Sequence, residues 1–228
     1  PTDVIDKEAI KRATSVYLVD RTIPMLPEVL SNNICSLRPH EESLCFSVIF
    51  EFDSDANVKD YRFAKTVIYS DHRFSYEDAQ DVIDSEKGLY AEELKTMNLI
   101  ASKLRKKKYE NGAINFETTE FRFTLDKNGK PIAVIPKVRK DAHKMIEEYM
   151  LLANKYVARQ LYVDNNKMPI PYRVHEEPSP EKLAEFAETA LNFGFRIDTS
   201  NYKQLAASIN SMVSKVQGTL EGDILQPL

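Results

Sequence analysis

Residues 138–161 constrain the fold more than any other stretch of this sequence. Val138, Ala142, Met145, Tyr149, Leu152 and Tyr156 recur at helical spacing and make one apolar face. Ile146, Met150, Ala153 and Val157 make a second face beside it. A helix apolar over so wide an arc predicts a central, mostly buried element, the longest helix of the chain. What remains is a narrow polar stripe of Lys140, His143, Lys144, Glu147 and Asn154, interrupted by Leu151. Two readings of the stripe stay open. One is a solvent-facing edge with ion pairs such as Lys144 with Glu148. The other is a wet cavity whose occupants satisfy the polar groups.

Around this helix the pattern alternates between strand pairs and further helices. Residues 44–52 and 58–69 read as strands joined by the turn 53–57, an antiparallel hairpin. Residues 120–125 and 132–135 flank Asp126-Lys127-Asn128-Gly129, a second hairpin signal. Helices are predicted over 6–17, 76–83 behind a Ser75 cap, 91–109, 181–192 and 201–216. The segment Pro24-Met25-Leu26-Pro27 should be extended, 164–171 a loop and 172–175 a short strand. The fold class is therefore α+β, antiparallel hairpins packed with long helices.

Glycine is scarce, and its spacing excludes several chemistries. The 6 glycines stand at 88, 112, 129, 194, 218 and 222, so neither G-x-G-x-x-G nor a P-loop nor a G-x-S-x-G elbow is present. The 2 cysteines, Cys35 and Cys45, read as free thiols of a reducing compartment, and a cytoplasmic location is expected. The 4 histidines lack the spacing of a self-contained zinc site. The longest apolar run, 44–50, is too short to span a bilayer. Pro1 cannot initiate translation, so the reading is of a processed chain or an excised internal piece.

Charge is unevenly placed. The net charge is -4, yet residues 95–144 hold 13 basic and 5 acidic residues. Such a stretch forms either one wall of a polyanion channel or, with Lys103, Arg105, Lys106, Lys107 and Lys108, a helix end whose cations suit the macrodipole.

Six blocks carry a family resemblance. They are 12–21 (RATSVYLVDR) continued by 23–28 (IPMLPE), then 73–79 (RFSYEDA), 112–117 (GAINFE), 139–154 (RKDAHKMIEEYMLLAN) and 172–178 (YRVHEEP). In this order they resemble the RNB catalytic domain of the ribonuclease R and ribonuclease II family, and SVYLVDR looks more like the ribonuclease R version. The resemblance spans nearly the whole chain as a single partial domain. It implies processive 3′–5′ hydrolysis of single-stranded RNA to nucleoside monophosphates, served by magnesium. It places the two aromatic residues that clamp the stacked 3′ bases at Tyr17 and Phe116. Taken alone, either aromatic would read as a core residue. It associates Tyr76 and Glu147 with the choice of RNA over DNA, and Glu147 lies on the polar stripe.

Two family features have no match here: the clustered aspartates that hold metal upstream of the first block, and a downstream Thr-Ser-Pro-Ile-Arg-Arg motif. The expectation is an RNA-binding part of such an enzyme, with no catalytic or metal-binding residue of its own and inactive as cut. Self-association through uncovered surfaces is a further expectation. A non-catalytic RNA-binding relative of the same fold is the alternative, and a helix-rich interaction module the bland one.

Overall fold

A computed structural model describes residues 3–115, 120–164, 167–174 and 176–225. By its contacts the chain divides into two units. One is Pro1–Leu94 with Thr119–His143, the other Lys95–Thr118 with Lys144–Leu228.

The first unit opens with α1 (Val4–Arg12), which Asp3 caps by accepting the Val4 N–H. The helix stops at Ala13, whose φ is 61°, short of the predicted end at 17. β-branched Thr14 and Val16 favour extended backbone, and the chain turns to pair β1 (Val16–Tyr17) with β2 (Thr22–Ile23). Side-chain hydrogen bonds hold that turn. The Met25 N–H donates to Ser15 Oγ at 3.0 Å, and Arg12 donates to both Glu8 and the Pro24 carbonyl. The segment after Pro24 bends rather than extends and continues into a π-helical stretch, Val29–Ile34, that periodicity did not anticipate.

β3 (Glu42–Phe52) and β4 (Val58–Tyr69) pair antiparallel from Glu42 opposite Tyr69 to Phe52 opposite Val58. Asp53 closes the turn by accepting from the Asp55 and Asn57 N–H groups, an Asx arrangement. β5 (Glu120–Leu125) and β6 (Pro131–Lys137) form the other predicted hairpin. Its turn uses Asp126 as acceptor for Asn128 and Lys130, with Gly129 at φ +79°. α2 (Tyr76–Ser85) lies between the hairpins in sequence.

The division between the units falls inside α3 (Ala91–Glu110) and α4 (Asp141–Arg159). α4 starts three residues later than predicted because β6 runs on to Lys137. It passes into a π-helical turn, Gln160–Asp164. At 19 residues α4 is shorter than the 20-residue α3, so it is not the longest helix. Nor is it mostly buried: Ala142, Met145 and Glu148 are buried, whereas Met150, Leu151 and Val157 are exposed. The apolar faces read from the sequence are covered along a single line.

The second unit carries α5 (Pro180–Asn192), α6 (Tyr202–Val216) and α7 (Leu220–Leu225). Ser179 and Asn201 cap α5 and α6, and Pro180 takes the first turn of α5, where its missing N–H costs nothing. Its core joins Ala190, Ile197, Leu205, Ile209, Met212, Val213, Val216 and Leu225. α7 approaches α6 so closely that a Cβ on Gly222 would collide with the Val216 carbonyl. Tyr172–Val174 form no strand; the Tyr172 ring meets Tyr162 edge-on at 6.1 Å. The architecture is α+β: three two-stranded antiparallel sheets among the described residues, with helices.

Candidate functional site

Tyr76 owes its position to a helix start. Ser75 is extended (φ -73°, ψ 163°) and accepts the Asp78 N–H at 3.0 Å, while its hydroxyl donates to the Asp78 carboxylate at 2.7 Å. Tyr76 is thus the first residue of α2, and it is 44% exposed. One turn on, Gln80 is buried. Its amide nitrogen donates to Asp84, and its oxygen accepts the Ala142 N–H at 2.9 Å. That N–H is one of the first-turn donors of α4 that the helix itself cannot satisfy.

α4 caps itself from the other side. His143, its third residue, accepts the Lys140 N–H on Nδ1 at 3.3 Å, as the acidic side chain does in a capping box. The imidazole so held lies parallel to the Tyr76 ring, centroids 4.0 Å apart and planes 11° apart. Stacking of this kind contributes about 0.5–1.5 kcal/mol beyond area burial. Burial holds the His143 pKa below its ordinary value of 6.5. Lys137 adds to the effect, Glu77 opposes it, and Arg139 and Lys140 reinforce it. Neutral His143 therefore accepts on Nδ1 and carries its proton on Nε2. Glu77 and Arg122 approach to 3.9 Å with both side chains mostly exposed, a pair of little energetic weight.

In the second unit, Glu147 and its buried neighbour Glu148 share one cation. Lys108, near the end of α3, makes a short charged hydrogen bond to Glu148 and stands 3.8 Å from Glu147. A carboxylate 5% exposed needs such a partner. The pair of Lys108 with Glu148 reaches across 40 residues to α3. Part of the basic run on α3 therefore neutralises acids: Lys106 also lies 3.9 Å from Glu110. Tyr149 donates to the Met97 carbonyl at 2.9 Å, and burial raises its pKa.

The chain leaving α3 is pinned as far as Asn115. Gly112 takes a φ of +98°, which a side chain would strain. Asn210 of α6 then donates to the Ala113 carbonyl and accepts the Asn115 N–H, at 2.8 Å each, and Tyr109 donates to the Asn115 side chain. Phe116 lies outside the described residues.

Tyr17, on β1, is 81% exposed. Read without the resemblance it belonged in a core; the turn to β2 presents it to solvent instead. Tyr17 and Tyr76 belong to the first unit and Glu147 to the second. Gln80, the pairing of Lys108 with Glu148 and the pairing of His143 with Tyr76 were not read from sequence. A glutamine four residues after Tyr76 and a histidine at the third position of a helix are the signals that point to them. Among the described residues no group of three or more His, Cys, Asp or Glu side chains comes together to hold a metal ion.

Comparison with known proteins gives this geometry a context. Ribonuclease R 2 of Lactococcus lactis is 33% identical over 225 residues, which cover 94% of this chain and 33% of that protein. The solved structure of Mycoplasma genitalium RNase R in complex with ribose methylated single-stranded RNA matches 100% of this chain and 36% of its own, with a TM-score of 0.86 and 28% identity. Yeast Ssd1, described as a pseudonuclease, shares the fold over 92% of this chain at a TM-score of 0.72 and 20% identity. The chain spans between about a quarter and a third of the length of the curated relatives it matches. The RNB domain profile matches residues 1–226, and the chain belongs to that family.

Proposed function

We propose that this chain is the RNA-holding part of a 3′–5′ exoribonuclease of the ribonuclease R type. It acts on single-stranded RNA in the cytoplasm and releases nucleoside monophosphates, and its two units are parts of one RNB domain. The observation that carries the reading is the likeness, across the whole chain, to a ribonuclease R whose structure holds single-stranded RNA. The exposed Tyr17 ring offers a base a stacking face that is indifferent to sequence. Phe116 is proposed for the same stacking role. Tyr76 and Glu147 are each proposed for the choice of RNA over DNA: a phenol can donate to the 2′-hydroxyl oxygen, and a carboxylate can accept its proton.

Magnesium serves this chemistry in the proposed enzyme. The described residues do not assemble a site for it, so no step through the metal is assigned to them. Two consequences follow. The chain by itself should not degrade labelled poly-A with magnesium present, and accumulating mononucleotides would overturn that. In the full-length protein, Tyr17→Ala and Phe116→Ala should each weaken RNA binding by roughly 1–3 kcal/mol and lengthen the end products. Unchanged products from stably folded variants would remove both residues from that role.

The fold shared with a pseudonuclease favours keeping a second reading, a non-catalytic RNA-binding relative. Full-length protein that binds RNA but never shortens it with magnesium supports that reading. Self-association through exposed apolar faces belongs to either and is read from sedimentation of the chain.

A further inference from the structure

We propose that His143 is a positioning residue for Tyr76: its imidazole plane fixes the phenol that meets the sugar, and does so only while its Nδ1 accepts the Lys140 N–H. The inference rests on the sugar-facing role proposed above for Tyr76. The phenol is exposed, and a tyrosine at the first position of a helix has few neighbours to select its rotamer. Here one flat partner selects it, parallel at 4.0 Å. That partner is in turn fixed twice. Its own Nδ1 accepts the backbone N–H three residues earlier, and the next residue back, Ala142, is clamped to α2 through Gln80. Tyr76 and Gln80 are one helical turn apart on α2, and Ala142 and His143 are consecutive on α4. The two contacts therefore fix one junction from both ends.

Protonation would undo this arrangement at one atom. Imidazolium has two N–H donors and no acceptor, so the Lys140 N–H would lose its partner. The new positive charge would sit in the first turn of α4, where the macrodipole opposes it. The charged groups that act on His143 come from each side: Lys137 from β6, Glu77 from α2, and Arg139 and Lys140 from the approach to α4. Three of the four are cations, so the surroundings also favour the neutral ring. The stack is thus a support that holds at neutral pH and loosens in acid.

The test uses full-length protein and two probes of one sequence, a short oligoadenylate RNA and its DNA counterpart. The quantity read is the ratio of affinities for RNA and DNA, measured from about pH 8 to about pH 5.5, the range in which histidine titrates. In the wild type the ratio should fall toward acid. His143→Ala should lower it roughly three- to tenfold at neutral pH, the effect of losing a stacking partner. His143→Phe keeps a flat ring but has neither the Nδ1 acceptor nor a titrating nitrogen, so its ratio should fall toward the alanine level and lose its pH dependence. A wild-type ratio in His143→Ala, alongside a reduced one in Tyr76→Ala, overturns the inference while leaving the role of Tyr76 standing. His143→Phe that retains the wild-type pH profile, or that keeps the wild-type ratio without the Nδ1 acceptor, overturns it too, and this arm does not depend on the alanine variant folding. A ratio unmoved by Tyr76→Ala overturns the sugar-facing reading itself, and the inference with it.

Discussion

His143 is harder to protonate in the folded chain than in the unfolded one, since burial and Lys137 hold its pKa below 6.5. That difference links the residue to stability. As pH falls through 6.5 the unfolded chain takes up the proton first. The His143 contribution to stability is therefore full above 6.5 and declines below it, levelling once the folded imidazole also protonates. Urea midpoints should fall with pH across this window more steeply in the wild type than in His143→Asn. Following the His143 ring by NMR gives the direct check, and an apparent pKa at or above 6.5 would contradict the described surroundings. The same side chain shows what sequence can and cannot display about a site. Its place on a polar stripe was legible, because helical spacing is a local property. Its stacking on Tyr76 joins residues 67 positions apart, and no local pattern records that pairing.

At the scale of the element, Lys108 is the clearest case of a side chain whose role the sequence conceals. It stands in a run of cations that reads as a helix end, yet its ammonium neutralises Glu148, which is 5% exposed. Lys108→Met should destabilise the chain by about 2–3 kcal/mol, below the full cost of orphaning a buried charge because Lys108 keeps some contact with water. Lys108→Met combined with Glu148→Met should recover most of that loss in thermal unfolding. A single variant as stable as the wild type would show the pair to be idle. Elements bounded by local chemistry were legible almost to the residue: β4 ends at its predicted positions, Ser75 is the predicted cap of α2, and α5 and α6 start within one residue of the predicted positions. Elements ended by distant contacts were not. α1 stops early because Ser15 and Arg12 bond to the segment at Pro24 and Met25, and the length of α4 depends on how far β6 runs. The burial of α4 was overestimated because periodicity shows which face is apolar, not whether anything in the chain covers it.

Over the whole molecule, buried side chains are unevenly shared. The large apolar cluster lies in the second unit, on α5, α6 and α7. In the first unit, the hairpin of β3 and β4 leaves Leu44, Phe46, Val67 and Tyr69 exposed. Local opening is easiest where few apolar groups are buried. Hydrogen exchange should therefore be slowest in α6, around Ile209 and Met212, and markedly faster along β3 and β4. Equal protection in both would mean that the hairpin is covered in solution. The bond from the Ala142 N–H to Gln80 has a different consequence, for the order in which the chain assembles. It joins residues 62 apart, so α4 takes part of its cap from another helix. An isolated α4 lacks that partner and its first turn frays. In the folding chain that turn gains its full set of partners only once α2 has formed and docked against it.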